Sequence, residues 1–109
     1  MLPGAEQVVV DIEKLRDYCL NSNHPRGKHK AKVFRSVLGF TESDAAELKA
    51  DIESQVRTNP CELGRKDQYG QRYTVEIPIK RGGSKAIVRT AWILKQNEDA
   101  PRLTSCYVK

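Results

Sequence analysis

The chain has 109 residues, 39% of them hydrophobic and 30% charged, with a formal net charge of +5 and a pI near 9.2. These values describe a single globular domain with a modest core, and no apolar run approaches the roughly 20 residues that a bilayer-spanning helix needs. The opening "MLPGAEQVVVDIEK" lacks the basic and long apolar regions of a signal peptide, so the expectation is a cytoplasmic protein without a membrane partner.

Along the chain, "DIEKLRDYCLNS" sets Ile12, Leu15, Tyr18 and Cys19 at helical spacing, with Asp11 placed to cap the first turn. "NSNHP" interrupts it, because a residue before proline is pushed out of the α region. Pro25 is then placed to open a second helix, whose inward face is Ala31, Phe34, Val37 and Leu38, with Gly39 as its terminating residue. "TESD" at 41–44 is a capping box with Asp in place of Glu. It leads a third helix with Ala45, Leu48, Ile52 and Val56 facing inward, and "TNP" at 58–60 ends it.

The period then changes from 3.6 to 2. "RYTVEIPIK" sends Tyr73, Val75, Ile77 and Ile79 to one face and Arg72, Thr74 and Glu76 to the other. Pro78 points to an edge strand or a strand end. "RGGS" is a hairpin signal. "KAIVRTAWILK" is apolar on both faces, which suits a central strand covered by helices on one side. "QNEDAPR" reads as a loop and "LTSCYVK" as the last strand, while 61–67 reads as a weaker strand pairing with 71–79 across "QYG". The expected architecture is α+β. Three N-terminal helices (about 11–58) pack on a three- to four-stranded antiparallel meander (about 61–108), as one domain over 1–109.

The positive charge favours an anionic partner, nucleic acid first. Its distribution is uneven: residues 24–35 hold five Lys or Arg, two His and no acid. Cys19, Cys61 and Cys106 are odd in number and widely spaced, with no C-x-x-C pair. Zinc sites need paired ligands and secreted scaffolds need even counts, so buried free thiols in a reducing compartment are expected, with no metal and no cofactor. No Walker loop, G-x-G-x-x-G, H-E-x-x-H or nucleophile elbow occurs.

Cleaving an RNA phosphodiester without a metal needs a base for the 2′-hydroxyl, an acid for the 5′-oxygen and cations for the phosphorane. His29, near a helix N-terminus and between Lys28 and Lys30, sits where both surroundings disfavour imidazolium, which would hold it neutral as a base; the alternative is a solvated histidine on a basic helix. Lys28 and Lys30 read either as phosphate-facing cations or as surface lysines. His24 reads as a turn cap or a substrate contact. Arg89 is the odd residue in its strand. It should either pair with Glu76 or Asp67 or serve as an anion clamp. Ser105 and Tyr107 share a face, with Thr104 opposite. These hydroxyls could position a phosphate or simply suit a strand. "YGQRY" is a turn whose exposed aromatic and Arg72 are compatible with base stacking.

The phrases "HPRGKHKAKVF", "YGQRYTVEIPI", "VRTAWIL" and "PRLTSCYV", in this order, resemble a small bacterial domain family of unknown function over residues 12–108. That family occurs alone or at the C-termini of large toxin-like proteins. Its layout is similar to the Barnase–EndoU–colicin–RelE (BECR) group of metal-independent ribonucleases, in which N-terminal helices pack on a four-stranded antiparallel sheet. The resemblance implies that His29 with Lys28 or Lys30 stands on the helix side of a cleft. Arg89 and Thr90 with Thr104, Ser105 or Tyr107 would stand on the sheet side.

Two expectations follow. The first is a toxin-type, metal-independent RNA endonuclease, with His29 as base or acid, Arg89 as phosphorane clamp, Lys28, Lys30, Thr90, Ser105 and Tyr107 in the catalytic group, and His24, Arg26, Arg72 and Thr104 as substrate contacts. RNA is its expected partner, and a cognate protein inhibitor a further one. The second is a non-catalytic nucleic-acid- or protein-binding module. An immunity-type accessory protein fits less well, because such partners of nucleases are acidic and this chain is basic.

Overall fold

A computed structural model describes all of residues 1–109. Helix α1 starts at Ile12–Lys14 and widens into a π-helical turn over Leu15–Cys19. Helix α2 runs Lys28–Val33 and widens likewise over Phe34–Leu38. Helix α3 is Ala45–Gln55, entered through a 3-10 turn at Glu42–Asp44. The strands β1 (Cys61–Asp67), β2 (Gly70–Arg81), β3 (Ser84–Lys95) and β4 (Arg102–Val108) form one antiparallel sheet in the order β1-β2-β3-β4.

The helix boundaries follow from local chemistry. The Asp11 carboxylate accepts the N–H of Glu13 at 3.0 Å, which opens α1. The Asp44 carboxylate accepts the N–H of Thr41 at 2.9 Å, the capping-box contact ahead of α3. Gly39 closes α2 in the left-handed region (φ 70°), with the Phe40 N–H reaching back to the Phe34 carbonyl. Pro25 does not open α2. His24 Nδ1 accepts the N–H groups of both Arg26 and Gly27 at 3.0 Å, so a turn occupies 24–27 and the helix begins at Lys28. Val37, expected to face inward, is exposed. The widened last turn directs Phe34 and Leu38 into the core and rotates Val37 off it.

The core lies between the helices and one face of the sheet. Leu15, Cys19, Phe34, Leu38, Leu48, Ile52 and Val56 meet Val75, Ile77, Ile79, Val88, Trp92, Leu103 and Cys106 there. Burying this much apolar surface is the main stabilising term, at about 1.5–3 kcal/mol for each large side chain. Thr90 is buried with them, its hydroxyl donating to the Val75 carbonyl and accepting from Trp92 Nε1, both at 2.8 Å. The other sheet face carries no helix and presents Arg72, Thr74, Glu76, Arg89, Ala91 and Tyr107.

Three features were not readable from period alone. Residues 1–10 pack against the start of β4, with Leu2, Ala5 and Val10 buried and Val9 bridging to Arg102 in parallel. A bulge opposite Ala91 and Trp92 breaks the alternation of β4, so Leu103 and Cys106 are its buried residues, three apart. Thr104 therefore does not occupy a buried face opposite Ser105; its hydroxyl donates to the Ala91 carbonyl at 3.1 Å. Pro78 lies in a strand with neighbours on both sides, but β1 pairs with β2 only as far as Cys61 with Val75. Beyond that point β2 is locally an edge, where a proline is tolerated.

Arg81, at the β2–β3 hairpin, fastens the sheet to the helices. It donates to the Glu47 carboxylate at 2.8 and 3.1 Å, and to the carbonyls of Leu38 at 3.1 Å and Gly39 at 2.7 Å. Its guanidinium stands 4.4 Å from the Phe40 ring centre.

Candidate functional site

The start of α2 is held against α1 by a close backbone approach. A Cβ at position 27 would lie 2.1 Å from the Tyr18 carbonyl oxygen, so only glycine fits. The Tyr18 ring meets the His24 ring edge-on, with centroids 4.8 Å apart. One turn further along, Lys30 reaches the end of α1 and the outer sheet edge together. Its Nζ donates to Tyr18 Oη at 3.0 Å and to Ser105 Oγ at 2.8 Å, and stands 4.8 Å from the Tyr18 ring centre and 5.9 Å from that of Tyr107.

Lys30, His29, Val33, Tyr107 and Val108 line a shallow cavity of about 300 Å³ between α2 and β4. On the other side of His29, a concavity of about 330 Å³ is lined by Ser22, Lys28, His29, Lys32 and Arg35, without a carboxylate. None of the molecule's ion pairs involves Arg26, Lys28, His29, Lys30, Lys32 or Arg35. The charge of this stretch is therefore not paired with any carboxylate.

The helix-free sheet face carries a second arrangement. Glu76, Arg89 and Tyr107 are register partners on β2, β3 and β4. Arg89 donates to Glu76 Oε2 from Nη2 at 2.8 Å and Nε at 3.1 Å, and to Tyr107 Oη at 3.3 Å. Lys109 Nζ stands 2.8 Å from the same Glu76 oxygen. Lys109 first and Arg89 second hold the Glu76 carboxyl below its usual range, so it is ionised at neutral pH. Tyr107 and then Glu76 raise Arg89 further above its already high value.

Tyr107 joins the two arrangements, one flank toward Lys30 and His29 and its hydroxyl toward Arg89. The sequence-expected residues thus separate into groups. His29, Lys30 and Tyr107 share one cavity, Ser105 contacts Lys30, Arg89 lies outside that cavity and reaches it only through the Tyr107 hydroxyl, and Lys28 and Arg26 continue the basic surface. Of the two readings for Arg89, the pairing with Glu76 is the one present. Asp67 pairs instead with Arg72, at 3.0 Å, and with Arg65. His24 is the turn cap. Thr90 is corrected from the cleft to the core: it points to the opposite face, its hydroxyl already engaged on both sides. Thr104 serves the bulge.

Tyr18 and Lys109 were missed as site residues. Lys109 was within reach of sequence reasoning, since 105, 107 and 109 continue one face of an alternating strand. Tyr18 was not, because only the tertiary fold brings it to Lys30.

Below Ser105, the thiols of Cys19 and Cys106 meet in the core, and all three cysteines are free. The hydrogen bond from Cys106 is the main reason the Cys19 thiol is lowered to about 7, with Lys30 and Ser105 acting in the same direction; Cys106 is pushed up. No three His, Cys, Asp or Glu side chains converge as a candidate metal-ligand set, and no helix is long and apolar enough to cross a membrane.

The family model described as "Domain of unknown function (DUF6883)" matches residues 1–109. Neither the curated proteins nor the solved structures give a match.

Proposed function

Starting from a chain that belongs over its whole length to the DUF6883 family, we propose that it is a metal-independent RNA endonuclease of bacterial toxin type, with the BECR layout that its motifs resemble. The observation that carries this reading is the junction at Tyr107. A carboxylate-free basic helix meets a solvent-open Glu76–Arg89–Tyr107 row there.

In this reading the RNA backbone follows Arg26, Lys28, Lys32 and Arg35, and the scissile phosphate enters the notch between α2 and β4. Lys30 and the guanidinium N–H groups that Arg89 does not spend on Glu76 and Tyr107 stabilise the phosphorane charge. His29, exposed at the mouth of the notch, either takes the 2′-hydroxyl proton as the P–O2′ bond forms or protonates the 5′-oxygen as the P–O5′ bond breaks, and solvent water serves the other oxygen. Incubation with tRNA and ribosomal RNA in EDTA tests the reading. Cleavage is expected from the native chain and not from His29→Ala or Arg89→Ala. Cleavage that survives both substitutions overturns the residue assignment, and none from the native chain overturns the activity.

A second reading, a non-catalytic RNA-binding module, is favoured by two details. Arg89 is already compensated by Glu76, and His29 lines a cavity that Arg89 does not. It gives salt-dependent binding with no product. For a single-stranded RNA, log K would fall with log salt with a slope of about −0.7 per phosphate neutralised.

A further inference from the structure

Among the Lys and Arg residues of 26–35, Lys30 alone has its head group held by the fold. Arg26, Lys28, Lys32 and Arg35 are exposed, whereas Lys30 is partly buried and its ammonium is fixed by Tyr18 Oη at 3.0 Å and Ser105 Oγ at 2.8 Å. An ammonium has three N–H donors, and these contacts use two. Neither contact brings a negative charge, and the aromatic rings of Tyr18 and Tyr107 offset only part of the lost hydration. The two hydroxyls accept from Lys30 and fix its ammonium, so one N–H of Lys30 is left to donate elsewhere. The result is one full positive charge with an unspent N–H, fixed in place at a cavity of about 300 Å³ that Lys30 itself lines.

The surroundings fix this cluster in advance. Gly27 permits the contact between α2 and the end of α1 at the Tyr18 carbonyl, and the His24 ring braces the Tyr18 ring. Ser105 lies at the β4 bulge, where the strand departs from strict alternation. A donor set that needs no rearrangement to meet an anion binds it with less entropic cost than exposed lysines do.

We propose that Lys30, held in place by Tyr18 and Ser105, forms a preorganised phosphate cradle in the notch between α2 and β4, with Lys30 supplying the charge and its unspent N–H to the oxyanion and the two hydroxyls orienting it. Tyr18 and Ser105 are positioning residues in this assignment. The cradle rests on the RNA reading only for the source of the phosphate, a backbone diester, since a free phosphate or a phosphomonoester has the same oxygen chemistry.

The test is binding rather than turnover, so it does not depend on the nuclease reading. A short 2′-O-methyl RNA, which cannot be cleaved through its 2′-oxygen, is titrated by fluorescence anisotropy at fixed salt. Inorganic phosphate is titrated in parallel by amide chemical shifts. Lys30→Met is expected to weaken RNA binding about tenfold or more, Tyr18→Phe and Ser105→Ala each severalfold, and the surface control Lys32→Met about twofold. Tyr18→Phe keeps the ring and loses only the hydroxyl. Added to Lys30→Met it should have no further effect, a non-additivity that a merely structural role would not give.

Shifts at Lys30 and Ser105 with phosphate alone support the cradle for free phosphate, and shifts with RNA alone support the diester. No binding of either probe overturns the proposal. So does a Lys30→Met chain that melts as the native one does and binds no worse than Lys32→Met. If the cradle binds RNA but the native chain cleaves none, the cradle stands and the nuclease reading falls. If the native chain cleaves RNA and the Lys30, Tyr18 and Ser105 variants bind as it does, the nuclease reading stands and the cradle falls.

Discussion

Arg89 and Glu76 meet across β2 and β3 through one oxygen: both Nη2 and Nε of Arg89 approach Glu76 Oε2, which Lys109 also contacts. Two cations on one carboxylate leave the row with a net positive charge, and they keep Glu76 ionised. A carboxyl held low in the folded state adds stability that is complete above its unfolded value, about 4.3, and is lost as pH falls through the lower folded value. Glu76→Gln should therefore lower the melting temperature near neutral pH, and the difference from the native chain should vanish as pH falls below about 4, where the native carboxyl is itself protonated. Its melting curve should be flatter below pH 4 than that of the native chain. Thermal melts between pH 2 and 7 check this, and an unchanged acid limb would show that the three-way contact does not persist in solution.

The same substitution separates the functional roles of Arg89. Removing the anion from the row should strengthen RNA binding about two- to fivefold at low salt, as expected for loss of one nearby negative charge. The gain should shrink as ionic strength rises. Equal affinities for Glu76→Gln and the native chain at low salt would place the bound RNA away from the sheet face.

Thr90 carries a sharper structural prediction. Thr90→Val keeps the shape and removes the acceptor of the Trp92 Nε1–H and the donor to the Val75 carbonyl, leaving buried groups unpaired. A loss of about 1–3 kcal/mol is expected, with a changed emission from the only tryptophan of the chain. Thr90→Ser keeps the hydroxyl and should retain most of that stability. Urea unfolding followed by tryptophan fluorescence distinguishes the two.

Two glycines should respond differently to alanine. At Gly27 the new Cβ meets the Tyr18 carbonyl at 2.1 Å, so α1 and α2 must part; at Gly82, φ is +60° but nothing lies within 4 Å. Gly82→Ala should cost about 1 kcal/mol from backbone conformation alone. Gly27→Ala should cost about 1–3 kcal/mol or more from overpacking and should also weaken RNA binding, because it displaces Tyr18 from Lys30. Denaturant midpoints and anisotropy titrations on both variants measure these effects.

The thiols offer a spectroscopic check. Cys61 is only half-buried while Cys19 and Cys106 are fully enclosed, so one cysteine should react quickly with a thiol reagent and two only on unfolding. Thiolate absorbance should begin to rise near pH 7, the value to which the Cys106 hydrogen bond brings Cys19. Cys106→Ala removes that hydrogen bond and should move the onset upward. An onset that stays near pH 7 in Cys106→Ala would assign the low value to another cause.

Much of this fold was legible because its elements obey local rules. Leu48, Ile52 and Val56 keep helical period, Thr41 and Asp44 make their capping box, and Val75, Ile77 and Ile79 alternate into the core. Periodicity fails where geometry is irregular. The β4 bulge shifts burial to Leu103 and Cys106, and the widened end of α2 expels Val37. At the candidate site, residue types pointed to His29, Lys30 and Arg89, and the face of Arg89 followed from alternation. The contact of Lys30 with Ser105 spans 75 positions in the chain. No local pattern encodes such a contact, nor the hydrogen-bond relay from Trp92 through Thr90 to Val75, although alternation does set Thr90 on the face opposite Arg89.

Arg81 and Lys30 together have a mechanical consequence. One clasps the C-terminal end of α2 to the hairpin, and the other ties its first turn to the far edge of the sheet. Helix α2 is thus a bar pinned at both ends, and its cationic side cannot swing outward unless a pin is released. A ligand lying along it meets a surface of fixed pitch, so it is the ligand, not the protein, that must conform.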